Sequence, residues 1–122
     1  MRRALTAITA IAFASPALAD VSVGVGLSIS GDAEIRTVQY LCNGREAPLT
    51  VQYINAAPNF LALIPIEDKT LIFVTTVSAS GAKYESGQFV WWDKGNDATL
   101  SDVTEGLDAA PVFTCSEDVQ TP

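Results

Sequence analysis

The chain has 122 residues, a formal net charge of −7 from 7 Lys+Arg against 14 Asp+Glu, two cysteines and no histidine, and its length suggests one domain. The missing histidine excludes a Ser-His-Asp or Cys-His relay, an ordinary histidine zinc site, and a proton shuttle that titrates unperturbed near neutral pH. An acidic surface argues against nucleic acid, whose phosphates it would repel, and makes a basic partner more plausible.

The first residues, MRRALTAITAIAFASPALAD, have the three parts of a secretory leader. Arg2 and Arg3 form the positive end, Ala4 to Phe13 is apolar apart from two threonines, Pro16 breaks the run, and Ala17-Leu18-Ala19 supplies the small-x-small cleavage pattern. The run is shorter than the roughly 20 apolar residues that span a bilayer. Residues 1–19 are therefore expected to be removed on export, leaving Asp20 as the mature N-terminus. No cysteine stands near the cut to accept a lipid, so no membrane anchor is expected. Without Arg2 and Arg3 the charge becomes −9, from 5 Lys+Arg against 14 Asp+Glu over residues 20–122.

A domain of that size buries only about 60 to 70 % of its unfolded surface, so a covalent staple matters. Cys42 and Cys115, an even pair in an exported chain, read as one disulfide, with two buried free thiols as the alternative. The absence of Cys-x-x-Cys spacing argues against a redox pair.

From Val21 onward the apolar residues alternate with period two and never sustain a helical spacing, so the domain is expected to be all-β. Val21, Val23, Val25, Leu27 and Ile29 alternate with Ser22, Gly24, Gly26 and Ser28. Residues 20–33 are thus either an N-terminal extension, read as a flexible arm, or an extra strand that its glycines weaken. Strands are expected at Thr37 to Cys42 and Pro48 to Asn55, joined through Asn43-Gly44 with Gly44 as a left-handed turn residue. Asn59 to Ile66 and Thr70 to Val77 form a second hairpin around Glu67-Asp68-Lys69, with Pro65 confined to an edge, a strand end or a bulge. Gln88 to Trp92 and Ala98 to Val103 form a third, and Val112 to Cys115 is a short last strand. Seven or eight short antiparallel strands over residues 34–122 suggest a closed barrel or a sandwich. A disulfide between the beginning and the end of the domain favours the barrel.

Two loops carry unusual residues. Ser78 to Tyr84 is small and hydroxylated, with Gly81 open to backbone angles closed to other residues, and Trp92 to Asp97 presents one cation, Lys94, among acids. In order, Ser80-Gly81-Ala82-Lys83-Tyr84, Gly87, Val90-Trp91-Trp92 and Lys94-Gly95-Asn96-Asp97-Ala98-Thr99, flanked by Tyr40-Leu41-Cys42 and Cys115, span about 76 residues. This arrangement resembles the periplasmic and membrane-bound inhibitors of C-type lysozyme, and the lack of a lipid-accepting cysteine matches their soluble branch. The resemblance implies a small antiparallel β-barrel of about eight strands closed by one disulfide, in the periplasm of a Gram-negative bacterium. It also implies a protein that is not an enzyme, needs no cofactor or metal, and has a basic C-type lysozyme as its partner.

In that family the S-G-x-x-Y loop enters the lysozyme cleft. There its serine hydrogen-bonds the two catalytic carboxylates, while the lysine of the W-x-K-G loop makes a charged contact. By resemblance these roles fall to Ser80 and Lys94, with Gly81 shaping the loop and Tyr84 bracing it. Lys83 is a second cation in the same loop and an alternative charged contact. Tyr84 and Trp92 read as packing residues; Trp91 faces the other way, so one of the two tryptophans must be less buried. The extension suggests a homodimer through its unpaired apolar alternation. The alternative function is a periplasmic carbohydrate- or peptidoglycan-binding module that stacks sugars on Trp91, Trp92 and Tyr84. A hydrolase built on Glu67-Asp68 or Glu117-Asp118 is disfavoured because adjacent carboxylates point in different directions. A calcium site at Asp93, Asn96 and Asp97 is disfavoured by the intruding Lys94.

Overall fold

The alternation between Glu34 and Glu117 becomes eight strands: β1 (Glu34–Cys42), β2 (Leu49–Ala56), β3 (Asn59–Ile66), β4 (Lys69–Thr76), β5 (Ala82–Ser86), β6 (Phe89–Lys94), β7 (Asp97–Asp102) and β8 (Phe113–Glu117). A single 3-10 turn, Val103–Glu105, lies between β7 and β8. In this computed structural model, which describes residues 4, 6–16, 24 and 26–119, every strand is antiparallel to the next. The barrel closes where β8 returns to β1 through Tyr40↔Glu117, Leu41↔Ser116 and Cys42↔Cys115. The sandwich alternative is thereby excluded.

One face of each strand fills the interior. Trp91, Tyr40, Phe73, Leu49, Ile64 and Leu100 are the largest fully buried side chains. The polar ends of the buried aromatics satisfy one another: the Trp91 indole N–H donates to the Tyr53 hydroxyl at 2.9 Å, and the Tyr40 and Tyr53 hydroxyls are bonded at 2.8 Å. Tyr40 packs edge-on against Trp91, with ring centroids 5.2 Å apart. Burial pushes the Tyr40 hydroxyl up to about 12 and Tyr53 higher still, so both stay neutral at physiological pH.

The turns follow the expected chemistry. Gly44 has φ 79°, and the two-residue turns at Gly87-Gln88 and Gly95-Asn96 each begin on a glycine with positive φ. Pro65 lies one residue from the end of β3, beyond Leu63, the last residue of that strand to pair with β2. β1 begins three residues earlier than the alternation suggests. Its first inward positions, Glu34 and Arg36, are polar because they occupy the open end of the barrel, where the Arg36 guanidinium lies 3.5 Å from the Glu117 carboxylate.

The eighth strand is not the N-terminal segment. Gly24 and residues 26–30 lie in no strand, and both edges of β1 are already taken by β2 and β8. The missing strand is β5, which begins inside the segment expected to be a loop and continues to Ser86. Among the residues of the expected leader, 6–16 lie in no helix or strand, whereas Arg2, Arg3 and Ala17 to Asp20 lie outside the described residues.

Cys42 and Cys115 form the expected disulfide, linking directly paired residues of β1 and β8 across 73 positions of sequence. Removing it is expected to lower stability by about 4 kcal/mol on the chain-entropy account of a loop this long. Urea unfolding of the Cys42→Ser/Cys115→Ser variant checks this; a midpoint equal to that of the parent would contradict it.

Candidate functional site at one end of the barrel

The alternation of strand directions gathers the 77–81 loop, the Gly95-Asn96 turn and the entry to β1 at one end of the barrel. The other end holds the 43–48 loop, the Glu67-Asp68 turn and the long 103–112 connection. Ser80 and Lys94 are therefore neighbours because β5 and β6 are paired, with Ala82 opposite Asp93 and Lys83 opposite Trp92.

Three contacts fix the 77–81 loop. The Ser78 hydroxyl donates to the Gly81 carbonyl at 3.0 Å. The Trp92 indole N–H donates to the Ser80 carbonyl at 2.9 Å. Gly81, at φ +65°, lies so close to β6 that an added Cβ would collide with the Asp93 carbonyl oxygen and reach the Lys94 Cγ at 3.0 Å. Ser80 itself is exposed, and its hydroxyl has no hydrogen-bond partner among the described residues. The turn is closed by Ser78, which leaves the Ser80 hydroxyl available to a partner.

Lys94 is exposed, and its ammonium stands 3.9 Å from the centroid of the Trp92 ring; the Lys83 ammonium stands 5.3 Å from the same ring. Two of the five cations beyond the leader thus converge on one indole, which also holds the backbone of Ser80. The site is a positive point on an acidic molecule, with a free hydroxyl beside it.

Below the site, Tyr84 is buried and packs against Tyr53 at 5.7 Å between centroids. Its place is under the loop, and it offers no surface to a partner. Asp93 shares the inward face of β6 with Trp91. Burial raises its carboxyl above the ordinary range and outweighs the Tyr53 hydrogen bond and the Arg36 charge; Glu117 adds to the rise. A carboxyl whose folded pKa is raised contributes stability that is present below its unfolded pKa and lost as pH rises through its folded pKa. Asp93→Asn is therefore expected to raise the Tm at pH 7, and the gain should vanish near pH 3. Thermal unfolding at the two pH values measures it, and an equal gain at both would contradict the burial cost.

The structure brings Ser80, Gly81 and Lys94, the residues the resemblance singles out, to one end of the barrel, with Tyr84 beneath them. Trp92 proves to be more than a packing residue: it is half-exposed and links Ser80 to both lysines, while Trp91 is the fully buried member of the pair. The alternation of Val90-Trp91-Trp92 carried that signal, but it did not say which face was inside. The sugar platform loses Trp91 and Tyr84 to the core, and Lys94 stands over the remaining ring.

Residues 40–108 match the profile of the family described as membrane-bound lysozyme-inhibitor of C-type lysozyme. The chain belongs to this family. The membrane-bound lysozyme inhibitor of C-type lysozyme of Pseudomonas aeruginosa is 45% identical over 95 residues, which cover 75% of this chain and 73% of the relative. The protein of the same description from Cupriavidus necator is 42% identical over 80 residues, covering 66% of this chain and 63% of that one. Among solved structures, Pseudomonas aeruginosa MliC in complex with hen egg white lysozyme aligns at TM-score 0.64 and 38% identity, covering 80% of this chain and 99% of that one. The periplasmic lysozyme inhibitor of C-type lysozyme from Salmonella typhimurium aligns at TM-score 0.56 and 27% identity, covering 69% and 98%. The matched residues of the family profile include the whole of the 77–81 loop, Trp92 and Lys94. The named relatives are thus inhibitors of an enzyme, and they are membrane-bound or periplasmic.

Proposed function

We propose that this protein inhibits C-type lysozyme by presenting the Ser80 hydroxyl and the Lys94 ammonium to the enzyme's active-site carboxyls. The observation that carries the reading is the fixed 77–81 loop: its backbone is held by Ser78, Trp92 and the close approach of Gly81 to β6, while the Ser80 hydroxyl stays free beside Lys94. A retaining glycosidase needs one carboxylic acid and one carboxylate about 5 Å apart. A hydroxyl donates to the ionised group and accepts from the protonated one, so a single serine satisfies both. An ammonium beside them adds a charge-assisted bond and stabilises the ionised form, which holds the general acid in the state that cannot donate a proton. Gly81 sets the loop, Tyr84 supports it from the core, and Lys83 reinforces the positive field.

The rest of the proposal follows the chain. Residues 1–19 act as a signal peptide and are removed, and the protein works in the periplasm as a barrel domain of residues 34–122 preceded by an extension of residues 20–33. The processed charge of −9 steers encounter with a basic enzyme, an effect that salt weakens. The protein has no catalytic residues of its own; its activity is occupancy of another enzyme's cleft. Calorimetric titration of the processed chain into a C-type lysozyme tests this, with and without an N-acetylglucosamine oligomer filling the cleft. Binding that the oligomer abolishes is expected. Binding indifferent to the oligomer would place the contact elsewhere and overturn the reading.

A further inference from the structure

The outer wall formed by β1 to β4 is uncharged and has an apolar centre. No outward position of β1 to β4, from Ile35 to Thr76, carries Asp, Glu, Lys or Arg, in a chain with 14 Asp+Glu. The register lines up Ile35, Ile54, Leu61 and Val74 in one row across the four strands, with Leu63 and Ile72 side by side in the next. Ile35, Ile72 and Val74 remain 64%, 54% and 53% exposed. A contiguous apolar patch on a water-soluble barrel marks a surface that something covers.

Residues of the extension already lie on this wall. Leu27 lines a shallow groove with Ile54, Leu61, Leu63 and Ile72, and Ile29, half-buried, borders Leu61 and Asn59. The segment therefore runs antiparallel to β3 over its outer face. Gly31, at φ +117°, supplies the backbone angle at the bend between this segment and the start of β1.

We propose that the segment around Leu27 and Ile29 forms an intramolecular strap over the outer face of β2, β3 and β4. Leu27 and Ile29 alternate with Gly26, Ser28 and Ser30, and both apolar side chains of this stretch lie against the wall. Leu27 already lies against Ile72 in this groove. The tether favours the chain's own segment over a second copy, because a short linker gives an effective concentration in the millimolar range. A second copy would also bring a like charge of −9 against this one. The extension thus acts by covering a face, where the sequence pattern alone suggested an added strand or a dimer.

The test compares the processed chain from Asp20 with a shortened chain from Asp32 and with a processed Leu27→Ser/Ile29→Ser variant. Near-UV circular dichroism from buried Trp91 serves as the control of fold. The processed chain should have a monomer mass and bind little Nile red, a neutral apolar dye; both altered chains should bind several-fold more dye or self-associate. Lysozyme inhibition should be unchanged in all three, since none of the altered residues belongs to the 77–81 loop or to the Trp92–Lys94 segment. Equal dye binding by all three chains overturns the strap. So does a processed chain that is a dimer and becomes a monomer on shortening, which would assign the wall to a second copy. The double-serine variant keeps the test decisive if the shortened chain fails to fold.

Discussion

Gly81→Ala is expected to abolish lysozyme inhibition and to lower stability by about 2 kcal/mol or more. Two independent effects act at this position. A left-handed backbone angle costs a residue with a Cβ about 1 to 2 kcal/mol, and Gly81 sits at φ +65°. The added methyl would also collide with the Asp93 carbonyl oxygen, a backbone atom locked in the β6 ladder that has little freedom to yield. Relief requires the loop to lift from β6. Lifting breaks the bond from the Trp92 indole to the Ser80 carbonyl and moves Ser80 away from Lys94. Urea unfolding and a lysis assay on the same preparation measure both consequences. A Gly81→Ala protein with parental midpoint and parental inhibition would show that the loop does not depend on its close approach to β6.

Ser80→Tyr is expected to weaken inhibition by about 100-fold or more with little change in stability, because the side chain is exposed and the backbone contact to Trp92 is through its carbonyl. The ring replaces a hydroxyl that must fit between two carboxyls with a group too large for that space. Lys94→Ala should cost about 2 to 5 kcal/mol of binding, roughly 30-fold or more, which is the usual cost of removing one partner of a desolvated charge pair. The two changes should be less than additive, since Trp92 couples both residues. Calorimetry on the single and double variants gives the coupling. Parental affinity in Ser80→Tyr would remove serine from the contact.

Much of this architecture was legible in the residues. Strong alternation marked β2, β3 and β4, and glycine-bearing turns located the hairpins, because a strand with one buried face leaves its period in the sequence. β5 was hidden for a physical reason: Ala82-Lys83-Tyr84-Glu85-Ser86 has one large inward residue, and its neighbours β4 and β6, more than its own composition, hold it in place. The start of β1 was hidden because its inward residues face the open end, where charge is tolerated. The N-terminal alternation misled in the opposite sense. Period two requires only one apolar side, which a sheet face accommodates as well as a sheet edge; Leu27 lies on the outer face, and closure left no edge free. The motif singled out Ser80, Gly81 and Lys94 as candidates, whereas the contacts of Trp92 depended on which face of β6 turned inward. That choice is made by the packing of Trp91 against Tyr40 and Tyr53 from strands far away in sequence.

The most direct test is the rate at which a C-type lysozyme clears a suspension of bacterial cell walls as processed protein is added in increasing molar ratio. Lysis should fall in proportion and end near equivalence, with Ser80→Tyr protein leaving it close to the uninhibited rate. Undiminished lysis by several C-type lysozymes at a molar excess of folded, disulfide-bonded protein would contradict the inhibitor account.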